Sequence, residues 1–563
     1  MTGAQYLVEV LKKYGVTDAF GIPGGVILEI IYALNNSGSI TPHLSYHEQA
    51  AGFAAVGYAQ ASGKLGVAYA TRGPGFTNLV TTIADAYCDS VPVLFITSHV
   101  GKTLSTEIRL TNNQEIDTCA MAQGVTKYAK RIDSLEDFAN SIEEACYLAT
   151  EGRKGPVFID VSSSIWKAEA GNFKTEEITS HKIESSGAAY LSHVVESIKT
   201  AKRPIILIGD GINQTKTETA LRKFVDKCRI PVLSSRYATN VIADSPYYYG
   251  YIGGFGVRYA NFILSKTDLI VSLGNRLNFP INSESYHNIP YQAKIIRFDV
   301  DKGELSKEMP QSHSYHEDLT TVLPTLAEHE ADYGKHADWL SVCNTIKSDL
   351  WDEDVNEVVK AIDAILAQTP EGATIVSDVG NHEFWVSRAS AHSKRKGNLL
   401  YSKSFATLGS AMVKAIGAYY ATGKPVVCFM GDQGFQMNIQ ELQYISQHQL
   451  PILVVILNNQ VSGMIRDKEI TGYKGKFLHS TSESGYQIPN LKEVAALYYL
   501  GYAEVDTRSK NDEAINLSFN TPGILNLLIN ENLSLEPSLP RGRQPQDMVP
   551  KLEKSRYEYL NNL

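Results

Sequence analysis

The chain has 563 residues, with 61 acidic against 52 basic side chains, a net charge of −9 and 43% apolar residues. That length exceeds one core and suits three domains of ordinary size, while the mild acidity offers a nucleic-acid partner no basic patch. No apolar run approaches membrane-spanning length, the amphipathic start MTGAQYLVEVLKKYGV is not a signal peptide, and six scattered cysteines without CxxC spacing read as reduced core residues of a cytoplasmic protein.

From 1 to 168, short apolar strands alternate with helices. DAFGIPGG leads into a helix from Val26, LGVAYATRGPG leads into NLVTTIADAY, and VPVLFITS and GPVFIDVSS are further strands. Such alternation predicts a parallel α/β sheet. A polar linker follows at 169–187, then a second α/β unit at 188–327 with strands PIILIGDG, IPVLSS, DLIVSLGNR and AKIIRFDVD. A charged boundary at 328–338 precedes the third unit, 339–534, whose strands are ATIVSDVG, PVVCFMGDQG, PILVVILNN and GILNLLINEN. The remainder, 535–563, is polar and interrupted by proline, a tail that packs over a surface or is partly mobile.

The densest chemistry lies in residues 424–464. The apolar run VVCFM stops at Gly431, Asp432, Gln433 and Gly434, and the run ILVVIL stops at Asn458 and Asn459. Met437, Leu442, Ile445 and Leu450 recur at helical spacing between them, so the stretch reads as strand, crossover helix, strand. Asp432 and Asn459 then stand at the carboxyl ends of parallel strands, where open α/β sheets bind their ligands. A carboxylate and an amide oxygen suit Mg²⁺, and Gly431 and Gly434 leave the backbone bare for a diphosphate. Either turn alone would be an ordinary end to a strand.

GDQGF, a crossover and LNNQVSGM together resemble the diphosphate and Mg²⁺ motif of thiamine diphosphate (ThDP) enzymes, with Gln433 in place of the usual glycine. Three α/β domains in this order resemble the acetohydroxyacid synthase and pyruvate oxidase branch: pyrimidine-binding, central and diphosphate-binding domains. The resemblance implies three doubly wound parallel-sheet domains that bind ThDP and Mg²⁺. Its metal ligands would be Asp432, Asn459 and Val461, with cofactor contacts at Gly431, Gln433, Gly434 and Met464.

SYHEQAAG resembles the family's HEQ motif, whose glutamate, here Glu48, bonds N1′ of the aminopyrimidine. Unaided, a glutamate at that place reads as a first-turn residue favoured by the helix dipole. IPGG supplies Gly24 and Gly25. RGPGFTNLVTTIADAY resembles the family's SGPGATNLVTGIADAY and supplies Gly73, Gly75 and Asn78, with Arg72 and Phe76 replacing smaller residues. DVGNHEFW resembles DVGQHQMW, a loop that approaches the diphosphate, and supplies His382. FATLGSAMVKAIGA makes Leu408 the apolar residue under the bent cofactor, and leaves Lys414 where the family commonly has proline or a small residue.

In the central unit, IGDG, GYIGGFG, GNR and RFDVD fall in the order of the acetohydroxyacid synthase FAD site. They offer Gly209, Gly211, Gly253, Asn275, Arg276 and Asp299, with Asp318 further on. Glycine loops after strands occur in any Rossmann-like domain, so a structural vestige stands as the alternative to bound FAD.

The departures gather around the second substrate. The family's Phe-Gln pair becomes Asn113 and Gln114, its PKD lysine becomes Ser163, its FDDR becomes Leu277 to Pro280, and the tryptophan of its GMVxQWQ stretch becomes Lys468. Losing an arginine fork removes the best clamp for a carboxylate, while Asn113, Ser163 and Lys468 add polar groups.

The expected function is a ThDP-dependent carboligase that decarboxylates a 2-keto acid, pyruvate first of all, and passes the two-carbon unit to a carbonyl acceptor, with Glu48 and Gln114 catalytic. The acceptor reads either as a second 2-keto acid or as a nucleotide-linked keto sugar. A keto-acid decarboxylase, a flavin oxidase and a silent ThDP-binding paralogue are the rivals. The family assembles its site from the pyrimidine domain of one subunit and the diphosphate domain of another. At least a homodimer is therefore expected, with a homotetramer as the larger form, and neither nucleic acid nor membrane as partner.

Overall fold

The computed structural model describes residues 1–100, 112–169, 189–277, 293–309, 311–394, 397–508 and 517–563. Nearly all of the expected linker at 169–187, and Pro280, lie outside the described residues.

The described chain forms three parallel sheets of six strands each. The first contains β1 (Asp18–Gly21), β2 (Thr41–Leu44), β3 (Gly66–Tyr69), β4 (Val93–His99), β5 (Tyr128–Ile132) and β6 (Val157–Ser162) in the order β2-β1-β3-β4-β6-β5. The second contains β7 (Pro204–Ile208), β8 (Val232–Ser234), β9 (Tyr248–Tyr251), β10 (Leu269–Leu273), β11 (Lys294–Asp299) and β12 (Ser312–His316) in the order β12-β11-β10-β7-β8-β9. The third contains β13 (Thr374–Ser377), β14 (Leu399–Tyr401), β15 (Val426–Gly431), β16 (Ile452–Asn458), β17 (Gly501–Asp506) and β18 (Gly523–Leu528) in the order β14-β13-β15-β16-β18-β17.

Helices cover both faces of each sheet, which is why the inner strands are apolar throughout rather than alternating. In β4, Leu94 and Ile96 enter one core while Val93 and Phe95 enter the core on the opposite face. Apart from the inverted end pairs β6-β5 and β18-β17, strand order reverses once per sheet, between β1 and β3, between β7 and β10, and between β13 and β15. A doubly wound sheet opens a crevice at the carboxyl ends of the strands there.

The first and third domains meet through two helices, Glu48–Ser62 and Ala411–Thr422. A Cβ on Gly57 would lie 2.1 Å from the Lys414 carbonyl oxygen, and one on Gly417 would lie 1.8 Å from that of Ala54. Only glycine at both places lets the two backbones touch.

Two expectations need adjustment. The crossover between β15 and β16 is broken into helices Asp432–Gln436 and Leu442–Gln447 with a 3₁₀ turn Ile439–Glu441 between them. Leu442, Ile445 and Leu450 are core residues, but Met437 is exposed. The tail ends in a helix, Lys554–Asn562, that buries Leu560 against the second domain's core beside Phe262 and Trp339. None of the described helices is long and apolar enough to cross a membrane.

Candidate active site

The first domain brings three loops together at its crevice. Glu48 opens its helix four residues beyond β2, with His47 as N-cap accepting the Gln49 amide on Nδ1 at 3.1 Å. Its Oε2 accepts a hydrogen bond from Asn78 Nδ2 at 2.9 Å. Asn78 belongs to the helix Pro74–Asp89, whose N-cap Gly73 takes φ +61°, a conformation costly for other residues. A Cβ on Gly73 would meet the Gln114 carbonyl oxygen at 2.6 Å, and one on Gly75 would stand 3.6 Å from Glu48 Oε1. Gly24 leans on Thr71 in the loop after β3, whereas a Cβ on Gly25 would meet nothing within 4 Å.

In the third domain the loops after β13, β14, β15 and β16, four neighbouring strands, carry the other half. Asp432 is buried beyond the end of β15. Its Oδ1 accepts from the Gln433 amide at 2.8 Å and the Tyr486 hydroxyl at 2.5 Å, and its Oδ2 accepts from the Gln460 amide at 2.8 Å. Burial pushes its carboxyl up to about 6. Asn459 Oδ1 accepts from the Val461 amide at 3.3 Å. The exposed Gln433 side chain takes up a specific place, its Oε1 accepting from Ser462 Oγ at 3.4 Å. Met464 is exposed on the helix that starts at Gly463.

Asp378, after β13, accepts from the Gly409 amide at 2.8 Å and the Ser410 amide at 3.0 Å, and burial pushes it up to about 6. A Cβ on Gly434 would come 2.3 Å from Asp378 Oδ2 and 3.2 Å from Leu408 Cδ1, so glycine alone lets these loops close up. His382 is buried, and desolvation pulls its ring down to about 4, leaving it neutral.

Asn381 Nδ2, His382 Nε2 and Ser410 Oγ are buried without a hydrogen-bond partner among the described residues. A Cβ on Gly463 would lie 3.1 Å from both Asn381 Nδ2 and Asn459 Nδ2, and one on Gly431 would lie 3.3 Å from His382 Cε1. Buried polar atoms are ordinarily paired, so unused polar atoms at bare-backbone loops fit a diphosphate. No cluster of three or more His, Cys, Asp or Glu able to hold a metal occurs among the described residues. A cation here would rest on Asp432, the Asn459 amide oxygen and the Val461 carbonyl, a hard oxygen set suited to Mg²⁺.

Comparison with known families agrees with this geometry. Residues 1–121 match the model for the thiamine pyrophosphate enzyme N-terminal TPP binding domain, 191–326 that for the central domain, and 378–527 that for the C-terminal TPP binding domain. The chain is 31% identical to the acetolactate synthase isozyme 2 large subunit of Escherichia coli (strain K12), over 98% of this chain and 100% of that protein. The chain belongs to the ThDP enzymes of the acetolactate synthase type. It is also 32% identical to the acetolactate synthase large subunit of Lactococcus lactis subsp. lactis (strain IL1403), over 97% of this chain and 96% of the relative. Identity to acetolactate synthase 1, chloroplastic, of Oryza sativa subsp. japonica is 31%, over 97% of this chain and 87% of the relative.

For a member of this family the central domain is of interest as a nucleotide site. A cleft of about 1170 Å³, its open mouth included, is lined by Gly209, Gly211, Asn275, Arg276, Asp299 and Asp318, together with Arg153 of the first domain and Lys403 of the third. Three of its cations are paired with carboxylates, Arg153 with Asp301 at 2.6 Å, Arg276 with Glu304 at 2.9 Å, and Lys403 with Asp210, while Lys154 Nζ donates to the Gln214 carbonyl oxygen at 2.9 Å. Burial raises the Asp299 carboxyl. Gly253 stands apart from this lining, its amide and carbonyl both bonded to the Asn261 side chain.

The divergent positions are less gathered. Asn113 and Lys468 are exposed and Ser163 half-buried at the end of β6, and no hydrogen bond joins the three among the described residues. Arg72 has an internal role, reaching Glu115 Oε1 at 3.4 Å; that buried carboxylate also accepts from the Val100 amide at 2.7 Å.

Several residues of this ThDP enzyme escaped sequence reasoning. Tyr486 and Asp378 are two. Glu441 is another, accepting from the Tyr46 amide at 2.9 Å just before Glu48, with burial pushing it up to about 7. Its place in QELQYI could have drawn attention only as an acid inside an apolar crossover.

Proposed function

We propose that this ThDP enzyme takes pyruvate as donor and a second 2-keto acid as acceptor, forming an acetolactate-type product, with Mg²⁺ holding the diphosphate. When bound, ThDP supplies the carbon nucleophile and electron sink that allow loss of CO₂ and joining of the two-carbon remainder to a carbonyl. Glu48, fixed by Asn78, holds or accepts a proton at the pyrimidine end. Asp432, Asn459 and Val461 would hold the cation, while Asn381, His382 and Ser410 offer hydrogen bonds to diphosphate oxygens. Gly73 and Gly75 let the backbone approach, and Gln114, with its backbone against the Gly73 turn, borders the acceptor side with Asn113, Ser163 and Lys468. The observation that carries this reading is the Glu48–Asn78 pair on one crevice together with unpaired donors around Asp432 on another.

The relatives named above are all acetolactate synthases, which favours a 2-keto acid acceptor over a keto sugar. It likewise favours ligation over plain decarboxylation, flavin oxidation or a silent paralogue. The test is product analysis after incubation with Mg²⁺, ThDP and pyruvate, alone and with other 2-keto acids or nucleotide-linked keto sugars. Acetolactate with CO₂ is expected. Acetaldehyde, or acetate with peroxide, as the main product would overturn ligation; product with the keto sugar alone would overturn the acceptor.

FAD in the central cleft belongs to the same proposal, resting on the residues that line it. A flavin absorption band in the purified protein is the expected result, and its absence in protein purified with added FAD would refute it. The site is proposed to form between two chains: Phe405, Met437, Met464 and Ile465 leave an apolar surface exposed near the diphosphate loops. A fully active monomer in sedimentation would refute this. Six unpaired cysteines, four of them buried, favour a cytoplasmic location. The domain limits 1–168, 188–327 and 339–534 remain part of this reading.

A further inference from the structure

Lys414 has no exposed side-chain surface, and it sits where two helices of different domains touch. Its Nζ donates to Asp85 Oδ2 at 2.8 Å and to the Tyr401 carbonyl at 3.3 Å, and lies 5.6 Å from the Phe53 ring centroid. Asp85 is equally buried. Its other oxygen accepts from the Ser402 hydroxyl and, at 2.9 Å, from Thr407 Oγ1. Ser402 Oγ in turn accepts from the Thr407 amide at 2.7 Å. One helical turn on, Asp89 accepts from the Lys403 and Ser404 amides, each at 2.6 Å.

Residues 402–407 are thus strapped to the helix Pro74–Asp89, the same helix whose first turns present Asn78 to Glu48. Leu408 follows directly. On one side of it Thr407 is held by Asp85, and on the other Gly409 is held by Asp378. Asp85 thus gathers three donors, Lys414 Nζ and the Ser402 and Thr407 hydroxyls, with no exposed side-chain surface, and the Lys414 cation offsets the cost of burying its carboxyl group there.

We propose that Lys414 is a positioning residue for the reaction: through Asp85 it fixes the 402–407 strap and so the placing of Leu408 beneath the cofactor. The proposal rests on the reading of Leu408 as the cofactor's apolar support. It gives a purpose to a lysine in a stretch where the resemblance calls for proline or a small residue.

The test uses the full chain with Mg²⁺ and ThDP, and compares Lys414→Met, Lys414→Arg, Thr407→Val and Leu408→Ala. ThDP affinity is read by fluorescence titration, pyruvate consumption by kcat and KM, and folding by thermal melting. Lys414→Met should lower kcat by about 10–100-fold, as misplacement of a support by an ångström would, and weaken ThDP binding. KM for pyruvate should stay within about twofold, since uniform substrate binding is untouched. Lys414→Arg, which keeps the charge, should recover part of kcat. Thr407→Val leaves the ion pair in place, so it should shift kcat and ThDP affinity the same way with the melting temperature nearly unchanged. It decides the matter if Lys414→Met does not fold.

Wild-type kcat and ThDP affinity in Thr407→Val and in soluble Lys414→Met, with Leu408→Ala impaired, would overturn the proposal alone. If Leu408→Ala itself behaves as wild type, the reading of Leu408 falls and the proposal with it.

Discussion

Asn78 Nδ2 donates to Glu48 Oε2 across 2.9 Å, joining the first residue of one helix to the first turns of the next. The bond fixes one carboxylate oxygen and leaves the other, Oε1, facing the bare Gly75 backbone. Glu48→Gln should therefore reduce pyruvate consumption by roughly 10²–10⁴-fold, the usual worth of a placed proton-transfer group. Asn78→Ala should cost about tenfold by loosening the same carboxylate. Both should melt close to the wild-type temperature; a Glu48→Gln enzyme with undiminished CO₂ release would contradict the assignment.

The cation site predicts a pH dependence. Burial raises Asp432 and Asp378 to about 6, so the folded protein without cofactor holds protons that the unfolded chain gives up near pH 4. Their stabilising contribution is full below the unfolded value and is lost as pH rises through about 6. A cation needs the ionised form of Asp432. Mg²⁺ with ThDP should accordingly raise the melting temperature more at about pH 7.5 than at about pH 5.5. Equal shifts at the two values would argue against Asp432 as the ligand.

Two glycine substitutions should separate close packing from open cofactor space. Gly434→Ala drives a Cβ to 2.3 Å from Asp378 Oδ2, so it should destabilise the protein and weaken ThDP binding together. Gly25→Ala meets no neighbour within 4 Å and should leave melting of the cofactor-free protein unchanged while ThDP affinity falls. Calorimetric titration alongside thermal melting reads both.

Arg236 of the second domain lies 2.9 Å from Glu383 Oε1 of the third, its guanidinium 4.0 Å from the Phe384 ring centroid. Burial pushes Glu383 up to about 7 even with this cation opposing the shift. Arg236→Met should cost about 3–5 kcal/mol in denaturant unfolding, the usual effect of stranding one member of a buried pair. The loss should be larger above about pH 7, where the stranded carboxyl would have to ionise. Glu383→Gln added to Arg236→Met should recover much of the loss; no recovery would mean that Arg236 acts through its stacking on Phe384.

Legibility in the sequence followed position in the sheet more than burial, since the edge strands β9 and β14 are as buried as the inner ones. In each sheet the four inner strands were readable as apolar runs, and the two edge strands were not: β2 and β5, β9 and β12, β14 and β17. Edge strands such as β2, TPHL, and β17, GYAEVD, expose part of their surface and lose the apolar run that marks a buried strand. The glycine turns and the two motif acids were visible because cofactor chemistry demands them at fixed spacing. Tyr486 on Asp432 and Lys414 on Asp85 were invisible, because such partners lie 54 and 329 residues apart and no local periodicity connects them.

The helix Lys554–Asn562 places Leu560 in the core of the second domain, and Arg203 Nη2 donates to the Leu563 carbonyl oxygen at 3.2 Å. On the ribosome, synthesis runs through the whole third domain before these residues emerge. The usual order of one domain maturing before the next is translated is thus incomplete here: the Leu560 and Leu563 contacts of the second domain form only after the third has been made.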